Sequence, residues 1–142
     1  MEYRKSSHTC YNIKYHIIWC TKYRYQVLEK SIQMRLREII RQTCEKNGIQ
    51  IIKGNIGKDH VHILISSPPQ HSVSKIVQMI KGRSSHIIQD EFPHLKKRYW
   101  GQHMWARGYF CGTVGTVDEE TIKNYIETQD KLDTNYNFRI QD

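Results

Sequence analysis

The amino-acid sequence predicts an α+β fold. One domain spans residues 1–142, with a four-stranded, mainly antiparallel sheet, helices packed on one face, and a further helix near the C-terminal end. Three observations predict it. Apolar residues switch between a period of two and a period near 3.6, in the order β-α-β-β-α-β-α. The two central strands are separated by a turn too short for a crossover, so they form a hairpin. A length of 142 residues with 38% hydrophobic and 11% aromatic side chains buries a core without disulfide staples.

The elements follow in chain order. Tyr11, Ile13, Tyr15, Ile17 and Trp19 alternate with their neighbours, so residues 11–20 form a long half-buried strand. Leu28, Ile32, Leu36, Ile39, Ile40 and Cys44 fall at helical spacing, and Asn47-Gly48 supplies a stop, so a helix runs over residues 29–46. Residues 49–56 read as a second strand, Gly57-Lys58-Asp59 as a turn and residues 60–66 as a third strand, ended by Pro68-Pro69. Val73, Ile76, Val77 and Ile80 open a second helix with Ser72 as its cap; Gly82 sits inside it and Pro93 lies beyond its end. Residues 94–108 read as a basic, aromatic loop and residues 109–114 as the fourth strand. Thr116 and Glu119 have capping-box spacing, and Asp118, Glu119 and Glu120 put negative charge in the first turn of a helix over residues 116–132. Ile122 and Ile126 lie one turn apart on its core side, and the last ten residues read as loosely held. The element order with its central hairpin is that of a ferredoxin-like or RRM-like sheet.

Composition narrows the function classes. Lys and Arg number 22 against 14 Asp and Glu, a net charge of +8, which suits a polyanionic partner or a merely soluble basic surface. Residues 117–142 reverse the sign, with three basic and seven acidic groups, so that end does not track a phosphate backbone. The apolar runs are too short to span a bilayer, and the N-terminus lacks a secretory leader, so a soluble cytoplasmic protein is expected. Cys10, Cys20, Cys44 and Cys111 include no Cys-x-x-Cys pair, which argues against a zinc knuckle or a thioredoxin-type motif.

Within the third strand, alternation puts His60, His62 and Leu64 on one face and Val61, Ile63 and Ile65 on the other. Two imidazoles at that spacing stand about 6–7 Å apart along the backbone and can converge on one metal ion. The same pair also arises by chance in a chain with eight histidines. Asp59, preceding His60, should point to the opposite face. Tyr125 and Gln129 project from one side of the last helix, beside its apolar stripe. Taken alone, a tyrosine there reads as packing and a glutamine as surface.

In combination these segments resemble a known family. Tyr15-His16-Ile17-Ile18-Trp19-Cys20-Thr21-Lys22-Tyr23-Arg24, Lys58-Asp59-His60-Val61-His62-Ile63-Leu64, Lys81-Gly82-Arg83-Ser84-Ser85, residues 105–115 and Asn124-Tyr125-Ile126-Glu127-Thr128-Gln129 occur in the order seen in the single-tyrosine HUH transposases of single-stranded-DNA insertion sequences. HUH denotes His, hydrophobic residue, His. The resemblance covers about 115 residues and departs at Lys58, where the family commonly has proline. It implies that His60, His62 and Gln129 hold a magnesium or manganese ion, and that Tyr125 attacks DNA to leave a 5′-phosphotyrosine and a free 3′-OH. It further implies DNA hairpins as substrates, no nucleotide cofactor, and a homodimer in which Tyr125 works against the imidazoles of the other subunit. Position 129 is Gln and not a second Tyr, as in the single-tyrosine class.

Charge supplies candidates for the DNA surface. Arg4, Lys5, Lys14, Lys22 and Arg24 lie toward the N-terminus; Lys81, Arg83, Lys96, Lys97, Arg98 and Arg107 lie later, interleaved with Tyr99, Trp100, Trp105 and Tyr109. An aromatic ring there either stacks on an unpaired base or packs in the core. Two other readings stay open: a module that binds single-stranded nucleic acid without cutting it, and a metal hydrolase that activates water with His60 and His62.

Overall fold

In a computed structural model of the chain, residues 3–131 are described, excepting the side chains of residues 116–118 and 129–131. The expected loose tail after Leu132 lies outside the described residues. The main sheet contains β3 (Ile13–Cys20), β4 (Gln50–Ile56), β5 (His60–Ser67) and β6 (Phe110–Thr113) in the order β4-β5-β3-β6, every neighbour antiparallel. α1 (Lys30–Lys46), α2 (Val73–Glu91), α3 (Pro93–Arg98) and α4 (Thr116–Lys131) complete the domain. The α+β class and the four-stranded antiparallel sheet are those the sequence predicts.

Alternation along the strands builds two separate cores. Ile17, Trp19, Val61, Ile63 and Ile65 meet Leu36, Ile39 and Ile40 of α1 and Ile76, Ile80 and Ile88 of α2. The opposite face carries Leu64, Val114 and Ile126, with Ile52 and Ile122 against them, so α4 crosses this face. Each fully buried Leu or Ile contributes about 1.5–3 kcal/mol, so the larger core holds the fold and the smaller one holds α4. Alternation along β4 sends Ile51 to the large core and Ile52 to the small one, and the register with β5 is irregular between Ile51 and Lys53.

The local chemistry explains the boundaries. Gly48 takes a φ of +71° after α1, and its N–H and that of Ile49 bond the carbonyls of Glu45 (3.2 Å) and Cys44 (2.8 Å). This is the Schellman arrangement, whose left-handed residue is easiest for glycine. Ser72 caps α2 by accepting the Lys75 N–H at 3.2 Å. Gly82 lies within α2 without breaking it.

Two expectations are corrected. The first strand is interrupted: Cys10–Tyr11 (β2) leaves the main sheet and pairs with Arg4–Lys5 (β1), and β3 begins at Ile13. The guanidinium of Arg4 fixes this ribbon by donating to the carbonyls of Ser66 (3.0 Å) and Gly48 (2.7 Å). Residues 94–108 are not all loop, because Pro93 starts α3. Proline is at home in the first helical turn, where its missing N–H costs nothing.

Candidate active site

β5 delivers His60 and His62 to the face that α4 covers, and both imidazoles are buried. His60 stands at the mouth of the hairpin and leans over Gly57, where any β-carbon would lie 2.4 Å from its Cε1. Its Nδ1 bonds Oδ1 of Asp59 at 2.9 Å. Asp59 therefore does not point away as alternation alone suggests. It precedes the first pleated residue of β5, and Arg24 reaches its other oxygen at 3.1 Å. Burial would push the Asp59 carboxyl up, but the hydrogen bond to His60 and the Arg24 guanidinium outweigh it and hold the group below its ordinary value.

The motif Thr21-Lys22-Tyr23-Arg24 is largely a support for this corner. The N–H of Thr21 bonds the Asp59 carbonyl at 2.9 Å and its hydroxyl donates to the Tyr25 carbonyl at 2.7 Å. Arg24 holds the carboxylate itself, so the structure gives this DNA-binding candidate an intramolecular partner. The motif Lys81-Gly82-Arg83-Ser84-Ser85 is also a brace. Lys81 Nζ donates to the Ala106 carbonyl at 2.6 Å, the indole N–H of Trp105 donates to Ser84 Oγ at 2.9 Å, and the Met104 N–H donates to Ser85 Oγ at 3.3 Å. Together they fix the segment that feeds β6. Lys14 pairs with Glu119 at the start of α4.

Two rings among the described residues lie against His62. His16 of β3 meets it Nε2 to Nε2, with ring centroids 4.3 Å apart. Tyr125 of α4 lies with its ring centroid 5.8 Å from that of His62, and it stays 39% exposed. Burial, with His16 and His60 nearby, drives the His62 pKa down to about 2, so this imidazole is neutral around pH 7 and is in the form that coordinates metal. The structure thus brings His60, His62 and Tyr125 to one face within a single chain. Gln129 also lies in α4, but its side chain is outside the described ones. Among the described residues, no three His, Cys, Asp or Glu side chains gather closely enough to hold a metal. No described helix is long and apolar enough to cross a membrane.

Sequence reasoning missed His16, the true direction of Asp59 and the service of Gly57. The first was detectable in principle: His16 and His62 fall on the same face of adjacent strands, since His16 opposes Leu64. A cleft of about 560 Å³ between α1 and β4, lined in part by Lys30, Arg37, Arg41 and Lys53, does not include the imidazoles.

Comparison with known proteins decides the family. The family described as "Transposase IS200 like" matches residues 9–129. The chain belongs to the IS200-like transposase family. This IS200-like transposase is 36% identical over 129 residues to the ISDra2 transposase TnpA of Deinococcus radiodurans, covering 91% of this chain and 92% of that protein. It is 36% identical over 123 residues to the transposase for insertion sequence element IS200 of Salmonella typhimurium, covering 87% and 80%. A crystal structure of a protein from Deinococcus radiodurans described as a transposase superposes with a TM-score of 0.73 at 36% identity, over 89% of this chain and 97% of that one. The fold is shared with a REP-associated tyrosine transposase bound to a REP hairpin, with a TM-score of 0.63 at 18% identity over 89% and 74% of the two chains.

Proposed function

We propose that this IS200-like transposase, acting in the cytoplasm, cuts and rejoins single-stranded DNA at insertion-sequence ends through a covalent link to Tyr125. The observation that carries the reading is the placement of the Tyr125 ring 5.8 Å from His62, on the face that also holds His60. The phenol oxygen attacks the scissile phosphorus, forming the phosphotyrosine bond as the bond to the 3′ oxygen breaks. The phenol proton is lost and the departing 3′ oxygen takes one up. The phosphodiester energy is kept in the covalent link, so a 3′-OH from another strand reverses the step and seals DNA without ATP.

His60, His62 and the Gln129 amide oxygen would hold a divalent cation. The donor set fits one: His62 is neutral, and Asp59 fixes His60 by Nδ1 so that Nε2 is the nitrogen presented. Imidazoles suit manganese better than magnesium, and either ion would polarise the phosphate and stabilise the leaving 3′ oxygen. Asp59 keeps the imidazole oriented, and Tyr125 supplies the nucleophile. His60 and His62 are only 2% and 0% exposed, so a DNA strand enters as α4 moves off the sheet. In this reading the protein works as a homodimer, and α4 also serves the imidazoles of the other subunit. Hairpin DNA is the substrate class, in keeping with the hairpin bound by the structural neighbour.

The test is a denaturing gel of the protein with labelled hairpin DNA and manganese. Wild type gives a protein–DNA adduct; Tyr125→Phe gives none while still binding the hairpin. An adduct formed by Tyr125→Phe removes Tyr125 from the role. Cleavage that leaves a 5′ phosphate free of protein, indifferent to this substitution, supports a hydrolase instead.

A further inference from the structure

α1 and α3 end with the same backbone device. After α3, the N–H of Trp100 bonds the Lys97 carbonyl at 3.2 Å and the N–H of Gly101 bonds the Lys96 carbonyl at 2.8 Å, as Gly48 and Ile49 do after α1. The left-handed residue that closes the helix is Gly48 in one case, but in the other it is Trp100, with a φ of +51°, followed by a second left-handed residue, Gly101, at +72°. A β-carbon in that conformation crowds its own backbone, and a bulky side chain there is an outlier. Packing does not repay it. Trp100 is 80% exposed, whereas Tyr99 and Trp105 on either side are 2% and 4% exposed. Strained backbone of this kind collects at functional sites.

The surroundings define what an exposed indole would meet. Lys96, Lys97 and Arg98 precede it and are exposed. The Tyr99 hydroxyl donates to the Lys22 carbonyl at 3.5 Å, tying this corner to the turn whose Arg24 holds Asp59 beneath His60. That turn also has left-handed residues, Tyr23 (φ +63°) and Arg24 (φ +56°), and it leaves the Tyr23 ring 61% exposed. Exposed rings among cations, beside a catalytic corner, suit a strand whose bases are unpaired and whose phosphates are charged.

We propose that Trp100 is a stacking platform for an unpaired base of the single-stranded DNA that leads to the imidazole site. The proposal rests on the reading above, that the substrate is single-stranded DNA. The glycine-type turn after α3 is kept in a strained form because it displays the indole to solvent and not to the core.

Fluorescence anisotropy of the full chain with a labelled oligothymidylate tests it. One stacked base is worth about 1–3 kcal/mol, so Trp100→Ala weakens binding by about fivefold or more and Trp100→Phe stays close to wild type. Trp100→Gly removes the ring and the strain together, so it loses affinity as Trp100→Ala does while its Tm is unchanged or raised. In wild type, the emission of the exposed indole is quenched as the oligonucleotide binds. Binding by Trp100→Ala within fivefold of wild type overturns the proposal, as does an absence of quenching. A changed oligomeric state in Trp100→Ala with unchanged DNA affinity also overturns it and assigns the ring to a protein contact. Adduct formation on hairpin DNA, read in parallel, separates the two readings: an adduct with Trp100-independent binding removes only the platform, and Trp100-dependent binding with no adduct removes only the strand-cutting reading. A wild type that binds no single-stranded DNA removes both.

Discussion

Substituting Gly57 by alanine isolates the mechanical support of His60. The glycine is not in the left-handed region, so its backbone tolerates a side chain and the cost is purely one of contact. A β-carbon would stand 2.4 Å from Cε1, 2.8 Å from Nδ1 and 3.0 Å from Nε2 of His60. The ring is 2% exposed and is held by Asp59 at 2.9 Å, so it yields only by breaking that bond or by shifting the hairpin. A hydrogen bond to a charged group is worth about 1.5–3 kcal/mol, and overpacking typically costs about 1–3 kcal/mol. The two do not add, since turning the ring relieves the clash while it breaks the bond. The net loss is then about 2–3 kcal/mol. An unfolding entropy near 2.1 cal/mol/K per residue gives roughly 0.3 kcal/mol/K for a chain of this size, so the Tm falls by about 7–10 °C. If His60 holds the cation as proposed, its displacement also lowers manganese affinity by about 10–100-fold. Scanning calorimetry with and without manganese, together with a manganese titration of the DNA-free protein, reads both. A Tm within about 2 °C of wild type and an unchanged manganese affinity would refute the reasoning, because the ring would then not be held where the hairpin places it.

Two further outcomes follow from the same structure. Gly82 lies in α2, and a β-carbon added there would meet no atom within 4 Å, so Gly82→Ala removes backbone entropy from the unfolded chain without a clash. It should raise stability by about 0.5–1 kcal/mol, seen as a Tm about 2–3 °C higher. Burial pushes the Tyr99 phenol up to about 12, against an opposing pull from Arg98. Below its unfolded value near 10 the phenol is neutral in both states and its contribution is complete; as the pH rises toward 12 the unfolded chain ionises first and stability falls. Urea midpoints measured across this window should decline more steeply in wild type than in Tyr99→Phe, and parallel curves would count against it.

Much of the fold was legible because it follows from period and punctuation. The 60–66 alternation fixed which face carries the imidazoles, and Asn47-Gly48 and Ser72 marked helix ends that the structure shows as a Schellman turn and an N-cap. What was not legible depends on partners distant in sequence. Pro93 looks like a terminator until the chain beyond it is seen to turn helical. Arg24 and Lys81 look like phosphate ligands in a basic sequence, yet Arg24 pairs with Asp59 35 positions away and Lys81 bonds the Ala106 carbonyl 25 positions away. Charge counts report cations, not their internal engagements. The direction of Asp59 is a turn property, and strand alternation says nothing about the residue just before the pleat begins. The candidate site was legible as motifs, through the resemblance, while the meeting of Tyr125 with His62 and the third imidazole of His16 required the sheet to be assembled.

The alternation of β4 gives the sheet two separate attachments to the rest of the molecule. Because adjacent isoleucines, 51 and 52, serve opposite layers, the scaffold and the arm bearing Tyr125 answer to different sets of side chains. Natural variation that loosens or tightens the arm's seat therefore leaves the scaffold's own interior intact. Such insulation lets a lineage retune how firmly the arm is seated, substitution by substitution, without risking collapse of the framework that supports it.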